Sequence, residues 1–264
     1  MEIVKEQIEK SIIKTYRKEI WRKFVNAIND YNLIDDNDKI AVCISGGKDS
    51  FLLAKCFQEL KKHGKKQFEL EYIMISPGYT KAYVDYIKEL ASKFGISLQV
   101  FDSDIFEVVN KLKHKSNCYI CAKMRRGYLY SVAKNLGCNK IALGHHLDDV
   151  FETTLLNMFY NGNFETMKPI LNSTNYKDMK LIRPLYYVEE SSIIKWENYN
   201  NLEFKDYNCG FKEEDSKRYY LKKIIKQLRK DNKYFNANFL NSLENVNVDN
   251  LNGFIKDNIK FKNY

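Results

Sequence analysis

The period of hydrophobic and polar positions changes repeatedly along the chain, and the changes predict alternating strands and helices. Over residues 1–33, Ile12, Ile13, Tyr16, Ile20, Phe24, Val25 and Ile28 recur at helical spacing among lysines and arginines, which predicts a helical lead-in. A polar break at Asp35–Asp38 precedes the strand-like run Lys39–Ile44. A helix over about Ser50–Lys62 then buries Leu52, Leu53, Cys56, Phe57 and Leu60. Next come a strand at Phe68–Ile75, a helix near Thr80–Phe94 stopped by Gly95, and a strand at Ser97–Phe101. After a connecting stretch, a helix near Lys123–Leu136 is closed by Gly137. A strand at Lys140–Leu143, a helix around Val150–Tyr160 and a last strand at Lys180–Leu185 follow.

Such alternation implies βαβ units. The expected class is α/β: a Rossmann-like parallel sheet of about five strands flanked by helices, with an N-terminal helix and a helical C-terminal segment. The expected segments are a lead-in (1–35), a central α/β domain (36–190) and a helical C-terminal part (191–264). Sheets of this kind bind ligands beyond the carboxyl ends of their strands.

Composition narrows the class. Hydrophobic residues make up 44% of 264, enough for a sizeable core, and 3 prolines and 11 glycines exclude a collagen-like or disordered chain. The N-terminus is charged from Glu2 onward. No uncharged apolar run approaches the roughly 18 residues of a membrane span. The expectation is a soluble, cytoplasmic protein with no membrane partner. In that reducing compartment the six cysteines are not expected to form structural disulfides. A net charge of +9 favours polyanionic partners, although a lysine-rich composition alone produces the same balance.

Ser45-Gly46-Gly47-Lys48-Asp49-Ser50 follows the first strand and opens a helix. Paired glycines let the backbone turn tightly, and N–H groups at a helix start face an anion with the helix dipole behind them. Ser45 and Ser50 offer hydroxyls, Lys48 a point charge, and Asp49 a ligand for Mg²⁺ beside phosphates. The alternative is an ordinary turn and helix cap. The hexamer is not the GxxxxGK[ST] loop, because only this glycine pair precedes the lysine.

Gly144-His145-His146-Leu147-Asp148-Asp149 sits at a second strand-to-helix junction. Asp148 and Asp149 can hold magnesium or orient a nucleophile, and Asp148 can equally cap the helix. Asp149 is the stronger candidate of the pair, and the two histidines can be purely structural.

Cys118-Tyr119-Ile120-Cys121 allows three readings: zinc ligands, a redox dithiol beside Arg125 and Arg126, or two thiolates of an iron–sulfur cluster. Cys209 is the candidate third thiolate. Cys43, Cys56 and Cys138 fall in strand or helix patterns and read as packing residues, whereas Cys118, Cys121 and Cys209 lie in polar, loop-like sequence. Near the C-terminus, Lys217, Arg218, Lys222, Lys223, Lys226, Arg229 and Lys230 alternate with Tyr219, Tyr220 and Tyr234. That pattern suits either stacking on unpaired bases or a solvated amphipathic helix.

SGGKDS and GHHLDD together resemble the PP-loop (N-type ATP pyrophosphatase) superfamily, which implies adenylylation of a carbonyl oxygen with release of pyrophosphate. The run from Cys118 through Gly162, with Gly78 after Pro77 and Arg183-Pro184-Leu185, is similar to the tRNA 2-thiocytidine synthetase (TtcA-like) family. The resemblance spans about residue 18 to at least 230. It implies ATP, Mg²⁺ and a [4Fe–4S] cluster as cofactors, with cluster ligands Cys118, Cys121 and Cys209. It also implies thiolation at C2 of a cytidine in the tRNA anticodon loop, a sulfur donor such as a cysteine desulfurase, and a homodimer. The expected catalytic set is Lys48, Asp49, Arg125 and Asp149, and the expected nucleotide-binding set is Ser45–Ser50, Gly144, His145, Asp148 and Asp149. The chain departs from the family in lacking a cysteine three residues before Cys209, and in Met167-Lys168-Pro169 where Met-Pro-Pro is usual. Three rivals remain at this stage: a cluster-free lysidine-type ligase, a sulfur-transfer or desulfurising enzyme acting on a small molecule, and a non-catalytic nucleotide-sensing module that binds ATP or AMP without turnover.

Overall fold

The computed structural model describes residues 5–112, 117–205, 207, 217–256 and 259–264. The chain opens with α1 (Lys5–Lys10), two π-helical turns at Ser11–Thr15 and Arg17–Trp21, and α2 (Arg22–Asp30). Then come β1 (Asp38–Cys43), α3 (Lys48–His63), β2 (Phe68–Ser76), α4 (Lys81–Lys93) and β3 (Leu98–Asp102). They are followed by α5 (Ile105–Leu112), α6 (Asn117–Asn135), β4 (Lys140–Ala142) and α7 (Leu147–Leu156). β5 (Ile170–Asn172), β6 (Lys180–Ile182) and α8 (Glu190–Tyr199) come next. The chain closes with α9 (Lys217–Asp231), α10 (Phe235–Glu244), β7 (Gly253–Lys256) and β8 (Ile259–Lys262).

The main sheet has the order β3-β2-β1-β4-β6-β5 and is parallel except for β5. Along β1, Ile40 and Val42 pack into one apolar cluster with Phe51, Phe57 and Phe24, while Ala41 packs into another with Leu129 and Ala133 of α6. Burial of alternate side chains on opposite faces marks a central strand covered by helices on both sides. The chain moves outward from β1 to β3 and then returns to place β4 on the other side of β1. The sheet therefore has its topological switch point between β1 and β4, where open α/β sheets form ligand crevices.

Two compact units are present: residues 1–150 with 167–214, and residues 151–166 with 215–264. Their limits differ from the segment boundaries at 35 and 190. The lead-in belongs to the first unit, where Ile8, Ile12, Ile20 and Phe24 enter its core. Trp196 Nε1 of α8 donates to Ser11 Oγ over 3.0 Å. In the second unit Phe151 packs on Phe235 and Phe239, Arg218 pairs with Glu152 at 3.4 Å, and Leu221 and Ile225 are buried.

The α/β expectation is met, with corrections in detail. The main sheet has six strands, because three-residue β5 pairs antiparallel with β6 and is too short to show a period. β6 ends at Ile182 and not at Leu185, since Pro184 cannot extend the ladder. α5 fills the supposed connecting stretch, and β7 and β8 form a hairpin in a tail read as helical. Helix α6 begins at Asn117, six residues earlier than expected, so Cys118 and Cys121 lie on a helix and not in a loop. Cys121 is buried with Ile105 and Val109, a packing contact between helices that sequence alone does not display.

Candidate active site

The two sequence motifs meet at the switch point. After β1, Gly46 adopts φ +100°, and a Cβ there would lie 2.5 Å from Tyr83 Oη, so glycine is required for the turn. Gly47 precedes the first residue of α3. Ser50 Oγ donates to the Gly47 carbonyl at 2.8 Å, and Ser45 Oγ donates to Ser50 Oγ at 3.3 Å. The opening amides of α3 thus face a loop tied by hydroxyls, a geometry suited to phosphate. Lys48 Nζ lies 3.5 Å from Asp49 and 3.5 Å from Glu190.

The loop after β4 closes against this one. A Cβ on Gly144 would sit 3.1 Å from the Asp49 carbonyl group, so this glycine allows two backbones to approach. Asp149 Oδ2 accepts from His146 N at 3.0 Å, the return half of a capping box at the start of α7. Asp148 is buried and its Oδ2 accepts from Glu190 N at 2.8 Å, so this carboxylate anchors the start of α8. Buried His146 lies among three carboxylates, with Nδ1 3.5 Å from Asp149 and 4.0 Å from Asp148, and Nε2 4.0 Å from Asp49.

A cavity of about 420 Å³ is lined by Ser45, Asp49, Ser50, Gly144, His145 and Asp149 on these loops, with Arg125 and Arg126 of α6 opposite. Cys43 also lines it; burial pushes the Cys43 thiol up, so it stays a neutral packing group despite nearby Arg125. Asp49 Oδ1 is buried without a hydrogen-bond partner. Burial raises the Asp49 carboxyl above the usual range, His146 and Lys48 oppose that shift, and Asp149 and Glu190 add to it. A buried carboxylate oxygen without a hydrogen bond, on a residue that lines this cavity, fits a Mg²⁺ ion accompanying a nucleotide, with Lys48 Nζ at 3.5 Å in the same site.

The structure thus gathers Ser45, Asp49, Ser50, Gly144, His145, Asp149 and Arg125 around one cavity, whereas Lys48 is paired with Asp49 and Glu190 outside its lining and Asp148 is turned to α8. His146, read as structural, and Glu190, not read at all, both belong to the constellation. Glu190 carries no local motif, and only folding brings α8 beside Lys48. The cysteine candidates are less complete. Cys118 and Cys121 are one helical turn apart on α6, the side chain of Cys118 is not described, and Cys209 lies outside the described residues. Among the described residues no three His, Cys, Asp or Glu side chains are grouped to hold a metal. Cys121 is buried beside Ile105 and Val109, surroundings that would shield a thiolate ligand from water.

Comparison with known proteins agrees with this geometry. A family described as PP-loop domain matches residues 16–228. The chain is 39% identical over 225 residues to the tRNA-cytidine(32) 2-sulfurtransferase of Syntrophotalea carbinolica, covering 83% of this chain and 86% of the relative. It is 36% identical over 232 residues to the protein of the same name from Geobacter sulfurreducens, covering 87% and 90%. Among solved structures, the U34-tRNA thiolase NcsA from Methanococcus maripaludis with its [4Fe-4S] cluster superposes with a TM-score of 0.71. That match is at 24% identity and covers 88% of this chain and 79% of that one, a likeness of fold.

Proposed function

Because the chain belongs to the PP-loop domain family, alongside the tRNA-cytidine(32) 2-sulfurtransferases, we propose that it is an ATP-dependent tRNA thiolase forming 2-thiocytidine. The observation that carries this reading is the convergence of the Ser45–Ser50 and Gly144–Asp149 loops at the switch point, with the buried Asp49 Oδ1, which has no hydrogen bond, at the cavity they line.

ATP binds with its phosphates on the α3 amides, Ser45 and Ser50, and Asp49 with Asp149 would hold Mg²⁺. The C2 carbonyl oxygen of a cytidine attacks the α-phosphorus as the bond to the bridging oxygen breaks, and pyrophosphate leaves. Lys48 offsets the charge that grows on the leaving group. Sulfur then bonds to C2 as the C2–O bond breaks, and AMP departs with the original carbonyl oxygen. Arg125 faces the cavity and is the candidate for holding a phosphate of either substrate.

A [4Fe–4S] cluster on Cys118, Cys121 and Cys209 would present one iron without a protein thiolate, where sulfide can bind. Tyr207 is the described residue nearest in sequence to Cys209. Its ring stacks on Phe106 at 6.1 Å, and Phe106 packs in the same cluster as Cys121. A cysteine desulfurase as donor, a homodimer and a cytoplasmic location complete the proposal; among the described residues no helix is long and apolar enough to cross a membrane.

The test is turnover by the anaerobically reconstituted protein with ATP, Mg²⁺, sulfide and tRNA. Nucleoside mass analysis should find 2-thiocytidine in step with AMP and pyrophosphate. Pyrophosphate without a thiolated base, or no product with any tRNA, overturns the assignment.

A further inference from the structure

Arg183 was noted in sequence only as part of Arg183-Pro184-Leu185, and the proposed reaction gives it no role. It follows β6, whose Ile182 is paired with Ala142 of β4, so the register sets it beside the loop that carries His145. Its side chain is buried. Its Nε donates to His145 Nδ1 at 3.3 Å, its Nη1 donates to the Lys168 carbonyl, and its backbone N–H donates to the Pro169 carbonyl at 2.9 Å. The side chain is therefore held from two directions and cannot swing away from the imidazole without losing its hydrogen bond to the Lys168 carbonyl.

A guanidinium has five N–H donors and no acceptor. The ring nitrogen that faces it must present a lone pair, and the proton of the neutral ring must then sit on the other nitrogen. His145 lines the cavity beside Ser45, Asp49 and Asp149. We propose that Arg183 is a positioning residue that locks His145 in the Nε2–H tautomer, making it a neutral hydrogen-bond donor to an α-phosphate oxygen of the bound nucleotide. This rests on the adenylylation reading for the identity of the acceptor, but not for the tautomer. The nearby Arg126 guanidinium adds a second positive charge to the same side of the cavity. Burial, with Arg126 as the leading charge, brings the Arg183 pKa down to about 10, so Arg183 still carries its full set of donors at neutral pH.

The arrangement has a chemical purpose. A neutral N–H keeps its proton while charge accumulates on the phosphate, so it stabilises that charge without transferring a proton to the leaving group. The opposite tautomer would aim a lone pair at the phosphate and repel it.

The chain has four histidines, so ¹⁵N-histidine NMR of the intact protein can assign His145 by comparison with His145→Asn. The expected wild-type spectrum shows an unprotonated Nδ1 and a protonated Nε2, with the Nε2 signal moving when a non-hydrolysable ATP analogue is added. Arg183→Met should give mixed tautomers and lower kcat for pyrophosphate release by about 10- to 100-fold, the range seen when an imidazole loses the partner that orients it. Arg183→Lys, still a pure donor, should restore much of the tautomer bias and part of the rate. A protonated Nδ1 in the wild type, or an unchanged tautomer in a folded Arg183→Met, overturns the proposal. The wild-type spectrum decides the tautomer even where Arg183→Met does not fold. A locked tautomer in a protein that never releases pyrophosphate would leave the lock standing and remove the adenylylation reading instead.

Discussion

Gly144 faces the backbone of Asp49 so closely that a single methyl on it would come within 3.1 Å of the Asp49 carbonyl carbon and oxygen. This contact couples the two loops, because neither backbone can retreat without moving the start of α3 or α7. Gly144→Ala should therefore separate them. The expected result is a rise in KM for ATP of tenfold or more with a stability loss of about 1–3 kcal/mol, as for overpacked sites, checked by pyrophosphate-release kinetics and urea denaturation.

Asp49 should trade stability against activity. Its carboxyl is raised by burial, so ionising it costs the folded state free energy above the raised pKa. In metal-free protein Asp49→Asn should raise Tm at pH 7. That gain should shrink as pH falls through the raised value and vanish below the ordinary value of 3.8, where both states are protonated. Activity should fall at least about 100-fold, as when a positioned charge is removed from an active site. A Tm difference that does not change with pH would contradict the burial argument.

Lys140 is buried, with Nζ 2.7 Å from Asp38, 2.8 Å from Asp35 and 3.0 Å from the Leu33 carbonyl. Removing Asp38, the buried partner, should strand part of that charge and destabilise the protein by about 3 kcal/mol. The double change Asp38→Asn with Lys140→Met should cost less than Asp38→Ala in the same urea titration, since it leaves neither a buried cation nor a buried carboxylate.

Replacing Cys118, Cys121 or Cys209 singly by serine should abolish retention of about four irons and their labile sulfide. Cys56→Ser should retain them, because Cys56 is buried among apolar groups and burial pushes its thiol up. Iron and sulfide assays after anaerobic reconstitution separate the two groups, and equal loss in Cys56→Ser would overturn the ligand set.

On α9, Lys222, Lys223 and Lys226 lie along one basic helix, and Lys223 Nζ rests 4.5 Å over the Tyr219 ring. Changing all three to glutamate should weaken tRNA binding and reduce the salt dependence of its logarithm by about two units if they meet phosphates. Pyrophosphate release at saturating tRNA should be little altered. An unchanged salt slope would mark α9 as a solvated face.

How much of this was legible in the chain depends on the range of the forces involved. The alternation of strands and helices, the phosphate loop and the GHHLDD turn are local patterns. Apolar periodicity and glycine placement write them into short stretches, so the α/β class and the Ser45–Ser50 and Asp149 candidates could be read directly. What lay beyond reach were short or two-sided elements. β5 is three residues long, and α6 buries Cys121 on a helix whose start reads as polar loop.

The sequence by itself determined which residue types stand at each strand end, because backbone turns and phosphate loops require particular side chains at fixed spacing. Only the tertiary structure decided which of them share a cavity. Asp148 turned to α8, His146 came between Asp49 and Asp149, Glu190 reached Lys48, and Arg183 met His145. These pairings join residues from about 40 to more than 140 positions apart or turn on which way a side chain faces. They follow from sheet order and strand register, which are settled by burial of the whole core and leave no local mark.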